Sequence, residues 1–155
     1  MKLTRQLFAI ASVSLCFTPL TLAAEKKISK SALPPAVQKT AEEVSKGATV
    51  KGYSQDNENG KTEYEVEMTV DGHSKDVSIG PDGSLLETEE QVGNPALPSA
   101  VQLGLKAKAG KGSITKIESI TKQGLVVAYE AQVKTSAKHS EIQVGPDGMP
   151  LAHEE

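Results

Sequence analysis

The chain carries the same ordered set of landmarks twice, and a duplication of this kind limits the folds open to it more than any single motif does. Leu33-Pro34-Pro35-Ala36-Val37-Gln38 returns 64 positions later as Leu97-Pro98-Ser99-Ala100-Val101-Gln102. Tyr64-Glu65-Val66 returns as Tyr129-Glu130-Ala131, and Gly80-Pro81-Asp82-Gly83 returns unchanged as Gly145-Pro146-Asp147-Gly148, both 65 positions on. The change of offset places a single insertion between Gly60 and Tyr64. Three landmarks in one order predict a duplicated unit, over 33–92 and 97–155, with a linker at 93–96.

Each stretch reads as one helix followed by strands. Proline costs little at a helix start, where the first amides have no intrahelical partner, so Pro34-Pro35 and Pro98 mark helix starts. Ala36, Val37, Thr40, Ala41 and Val44 recur at helical spacing before Gly47. Val101, Leu103, Leu105 and Ala109 follow in the second stretch, where Gly104 and Gly110 predict a looser or shorter helix.

Alternation then replaces the helical period. Tyr64, Val66, Met68 and Val70 share one face with Glu63, Glu65, Glu67 and Thr69 on the other, and Val77 and Ile79 oppose Asp76 and Ser78. Leu125, Val127, Tyr129 and Val133 form the apolar side of the matching strand, and Ile142 and Val144 oppose Glu141 and Gln143. A first strand around 50–53 or 114–117 and a short last one at 85–88 or 149–152 complete each set. Asn59-Gly60 and Gln123-Gly124 suit two-residue hairpins, because glycine takes positive φ without a steric penalty. The expected fold class is α+β: two tandem units, each a helix packed on an antiparallel sheet of three to four strands, with the other sheet face wet.

The N-terminal residues address the compartment. Lys2 and Arg5, an apolar run over 7–17 and the small residues of Thr21-Leu22-Ala23-Ala24 predict a Sec-type signal peptide over 1–24, cleaved after Ala23 or Ala24, and then a linker at 25–32. Ser12, Ser14, Thr18, Pro19 and Thr21 keep the apolar run short of the roughly 20 residues a membrane span needs. Leu15 before Cys16 is too bulky for a lipid-attachment site, so no stable membrane anchor is expected and the location is periplasmic or secreted. Cleavage removes Cys16, Phe8, Phe17 and Arg5, the only residues of their types. The mature chain therefore has no disulfide and no cysteine nucleophile or ligand, and its core must be aliphatic apart from Tyr53, Tyr64 and Tyr129.

Charge is uneven. Residues 33–92 carry five lysines against thirteen acids, a net −8, while 97–155 carry seven lysines against six acids. The first stretch repels nucleic acid and anionic lipid, which leaves a basic protein or a divalent cation as partner there. The candidate binding face comprises Glu63, Glu65, Glu67 and Asp76 with their counterparts Glu130, Gln132, Glu141 and Gln143. Like charges on neighbouring strands destabilise their own sheet, so such a face points to a ligand of opposite sign.

The sharper chemical signals fail on spacing. Over 55–66 a calcium loop would need acidic ligands at its first and last positions, where Gln55 and Val66 stand. His73, His139 and His153 have no metal-ligand spacing, and the Gly-x-Ser-x-Gly pattern of hydrolases is absent. No catalytic residue, cofactor or metal site is nominated, and the chain is not expected to be an enzyme.

The order Leu33-Pro34-x-Ala36-Val37, hairpin, Tyr64-Glu65-Val66-Glu67-Met68, then Val77-x-Ile79-Gly80-Pro81-Asp82-Gly83-x-Leu85-Leu86 resembles the PepSY-like domain. Two copies in tandem resemble the β-lactamase-inhibitor-like branch of that family. The resemblance implies a helix laid on an antiparallel sheet, export, and a binding or inhibitory role, with hydrolase or peptidase partners in some relatives and no catalytic residues. The expected function is an exported protein-binding module that inhibits or regulates an envelope or secreted hydrolase or peptidase whose identity the residues do not give. The alternative is a small-ligand or divalent-cation-binding periplasmic protein using the acidic face of the first unit, for which no ligand set is visible.

Overall fold

The computed structural model describes residues 26–58 and 60–155. The expected signal peptide and Asn59 of the first hairpin lie outside the described residues. The elements are β1 (Lys26–Ile28), α1 (Pro35–Val44), β2 (Thr49–Glu58), β3 (Lys61–Val70), β4 (His73–Ile79), β5 (Leu85–Gln91), α2 (Ser99–Ala109), β6 (Ser113–Lys122), β7 (Leu125–Lys134) and β8 (His139–Val144). All eight strands form one antiparallel sheet in chain order. Among the described residues no helix is long and apolar enough to cross a membrane.

This overturns the expected α+β class of two tandem helix-on-sheet units: the described chain is mostly β, with a single continuous sheet and two α-helices. The joining element is β5. It runs past the expected end at 88 to Gln91, pairs with β4 on one side, and pairs with β6 on the other from Glu87↔Lys122 to Gln91↔Glu118. A strand left at an edge exposes a row of unpaired N–H and C=O groups, and pairing on both sides satisfies them. The expected linker at 25–32 also contributes β1, which pairs with β2. No strand forms at 149–152, where Pro150 has no N–H to give a ladder.

Both helices pack on one face of the sheet. Leu33, Val37 and Ala41 meet Val66, Met68, Val77 and Ile79, and Leu97, Val101 and Leu105 meet Ile117, Ala131 and Val144. Tyr53, Tyr64 and Tyr129 are half-buried against these clusters. The hairpin turns take left-handed backbone at Asp71-Gly72 (φ 50° and 86°) and Gln123-Gly124 (φ 53° and 78°), matching the strand twist. Leu125, expected on the apolar side, is exposed instead, because the register slips between Ile120 and Thr121.

α2 is not shorter than α1: it has 11 residues against 10. Gly104 serves packing, since a Cβ there would overlap the carbonyl oxygen of Gly148 in the turn after β8. At the corresponding place α1 carries Thr40, whose hydroxyl donates to the Gly83 carbonyl at 2.7 Å. Thr40→Val keeps the shape and removes this bond, so urea unfolding is expected to show a loss of about 1 kcal/mol. An unchanged midpoint would mean that water replaces the hydroxyl at no cost.

Candidate binding face

The sheet face turned away from the helices gathers all eight residues nominated by sequence. Register places Glu67, Asp76 and Glu89 side by side on β3, β4 and β5. The neighbouring row is Gln91, Glu118, Glu130 and Gln143 on β5 to β8. Glu65, Ser78, Glu87 and Lys122 form a third row, and Lys116, Gln132 and Glu141 a fourth. Glu63 pairs with Asp56 at the β2–β3 end. The nominated residues of both repeats thus occupy one surface, because the strands between them pair without a break.

The middle of this surface is an electrostatic knot. Carboxylate oxygens of Asp76, Glu89 and Glu118 lie within 4.8 Å of one another. Glu118 is only 4% exposed and is held by the Lys116 ammonium at 2.6 Å and by the Ser74 hydroxyl, which donates at 3.2 Å. Burial raises the Asp76 carboxyl above its ordinary range, the charges of Glu118 and Glu67 add to this, and Lys116 opposes it. Glu89 is pushed up to about 8, first by burial, then by a hydrogen bond with Glu87 and the charges of Glu130, Glu87 and Glu118. Glu130 is raised by burial and neighbouring acids against the Gln143 amide, which donates to it at 2.9 Å. Crowded carboxylates of this kind keep protons at neutral pH or pair with cations, and both uses are chemically open to the face.

The chain's last residues lie across the β6–β8 side. The Glu155 amide donates to Gln143 Oε1 at 2.8 Å, and its carboxylate sits 3.1 Å from Lys122, which also meets Glu87 at 3.0 Å. Ile120 and Ala128, on this face by register, are 1% and 0% exposed.

Sequence reasoning missed Lys116, Glu118, Lys122, Glu87 and Glu89. Glu118 falls just past the expected strand end at 117, and in β5 acids stand on both faces (Glu87 and Glu89 against Glu90), so no apolar stripe betrays the alternation. The period-2 spacing of Glu87, Glu89 and Gln91 was the available signal. The three histidines are exposed and are not among the described residues that cluster as metal-capable. The stretch 55–66 is a paired hairpin rather than an ion loop, and Tyr64 and Tyr129 lie on the helix side.

Comparison with family models and with curated proteins finds no match. Solved structures do match in fold. A candidate periplasmic protein from Bacteroides eggerthii gives a TM-score of 0.61 at 17% identity over 76% of this chain and 85% of that one. A DUF2874 family protein from Bacteroides ovatus gives 0.58 at 17% identity over 76% and 84%. A BLIP-like protein from Bacteroides fragilis gives 0.56 at 19% identity over 79% and 85%. These likenesses support the BLIP-like side of the expected resemblance and lend none to its tandem PepSY-like side; at such identities, what they establish for this chain is the fold.

Proposed function

We propose that this chain is an exported protein-binding module that engages a basic partner through the acidic sheet face, and that it inhibits or regulates an envelope or secreted hydrolase or peptidase. The observation that carries the reading is the unbroken face from β3 to β8, on which Glu63, Glu65, Glu67, Asp76, Glu130 and Glu141 stand with Glu87, Glu89 and Glu118. Such a surface steers a positively charged partner and rejects an acidic one. The fold likeness to a BLIP-like protein supports an inhibitory use, and the candidate periplasmic neighbour agrees with the leader read at 1–24. Binding without catalysis is part of the proposal, since no acid, base and nucleophile set was found in the sequence.

The test is capture from the host's envelope with the mature protein and with a Glu67→Lys, Glu141→Lys variant, followed by assay of the captured enzyme. The double reversal is expected to weaken a specific partner at least tenfold, about 1.4 kcal/mol, and raised salt is expected to weaken the wild-type complex. A partner indifferent to both changes would remove the acidic face from the interface. Millimolar calcium provides the competing outcome: a rise in melting temperature that Glu65→Ala, Glu67→Ala abolishes would favour a cation as ligand instead.

A further inference from the structure

Beyond that face, β6 has an open edge inside the sheet. β5 pairs with β6 only over Glu118–Lys122, and after one more bond, from the Val92 amide to the Ile117 carbonyl at 2.9 Å, the chain leaves for α2. Ser113 to Lys116 therefore run on with β7 on one side and, among the described residues, no strand on the other. A cleft of about 760 Å³ opens at this place, within the range of roughly 300–1,000 Å³ usual for ligand sites. Ile114, Thr115, Lys116 and Ile117 all line it. The β6–β7 register slips at Thr115, yet Ile114 and Ile117 still lie on the helix side and Lys116 on the opposite side, so a cleft that all of them line meets the strand along its edge. Val92 and Leu103 supply the other apolar walls, and Lys106 of α2 stands at the rim.

We propose that this cleft is a strand-addition site, which accepts an extended peptide segment of alternating apolar and acidic residues as an added strand on the β6 edge. Main-chain bonds to an open edge give such modes their affinity, and side-chain pockets at alternate positions give the selectivity. Leu103, 69% exposed as the structure stands, Val92 and Ile114 receive the apolar residues. Charge selects the rest: the charged residues lining the cleft are Lys106 and Lys116, with no acid among them, and because the Lys116 ammonium is held by Glu118 at 2.6 Å, Lys106 is the cation that meets an acidic residue of the peptide. Among the described residues no carboxylate is ion-paired with Lys106. The site thus wants the opposite charge from the acidic face, and the two surfaces do not compete for one ligand.

The probe is a fluorescently tagged peptide of four Val-Glu repeats, titrated against the full mature protein by anisotropy, with backbone amides followed by NMR. Saturable binding is expected, with slowed exchange at backbone amides of the Ser113–Lys116 segment. Leu103→Asp and Lys106→Glu, both at exposed positions that the fold does not need, are each expected to weaken it at least fivefold. A peptide N-methylated at alternate residues, or one of Val-Lys repeats, is expected not to bind, while Glu67→Lys leaves affinity unchanged. Absence of binding at millimolar peptide, equal binding of the N-methylated peptide, or indifference to Leu103→Asp would overturn the proposal.

Discussion

Gly104→Ala is expected to destabilise the protein, reversing the sign that helix propensity predicts. In an exposed helix interior, alanine in place of glycine gains about 1 kcal/mol. Here the new methyl would overlap the Gly148 carbonyl oxygen, and backbone cannot yield as a flexible side chain would. Overpacking of this kind costs roughly 1–3 kcal/mol, and more when the obstacle is rigid, so a net loss of about 2 kcal/mol is expected. Gly148→Ala meets two penalties. Its φ of 77° disfavours any L side chain by roughly 1–2 kcal/mol, and its Cβ would overlap the Ala100 carbonyl of the first α2 turn. A loss of about 3–4 kcal/mol is expected, a fall in melting temperature of roughly 10 °C for a chain this size. Gly47→Ala isolates the conformational part, since Gly47 has φ 79° and nothing within 4 Å of the added methyl. Equal melting temperatures for Gly47→Ala and Gly148→Ala, or a gain from Gly104→Ala, would show that α2 does not rest on the β8 turn. The contact matters beyond stability, because it helps fix α2 over the sheet and so sets the walls of the cleft beside β6.

How far these features could be read in advance depends on the scale of the interaction involved. Helix starts at Pro34-Pro35 and Pro98 and the buried alternation of Val66 and Met68 are local, and the sequence states them directly. The merging of the strands is not local. Nothing in Leu85-Leu86-Glu87-Thr88 says whether its second edge meets water or β6, because Thr88↔Thr121 and Glu87↔Lys122 are pairings either polar face accepts. The shortening assigned to Gly104 failed for the same reason: propensity describes an isolated helix, whereas the glycine answers a turn 44 residues away. The eight nominated residues were found because alternation alone places them, but the crowding around Glu89 depends on three strands drawn together from distant stretches.

That crowding has a measurable consequence in pH. The Glu89 carboxyl is raised to about 8 from an ordinary value near 4.5, so between those limits the folded chain holds a proton that the unfolded chain has released. Stability then falls as pH rises: the contribution is complete below about 4.5 and lost above about 8. One full proton would give a slope of about 1.4 kcal/mol per pH unit, and water reaching the half-buried Glu89 reduces it to a fraction of that. Asp76 and Glu130, also raised, act in the same direction. The melting temperature is therefore expected to drop between pH 5 and pH 8.5. Glu89→Gln, which keeps the shape and stays neutral, should flatten most of the drop and exceed the wild type at pH 8.5 while matching it near pH 5. A wild-type curve that rises over this range would mean that Glu89 is ionised and stabilised when folded. The same proton bears on the proposed partner. A lysine or arginine brought onto the face favours the ionised carboxylates, so binding should release protons below pH 8 and tighten as pH rises. Calorimetric titration in two buffers of different ionisation enthalpy reads that release directly, and identical heats in both would detach Glu89 from the interface while leaving its role in stability intact.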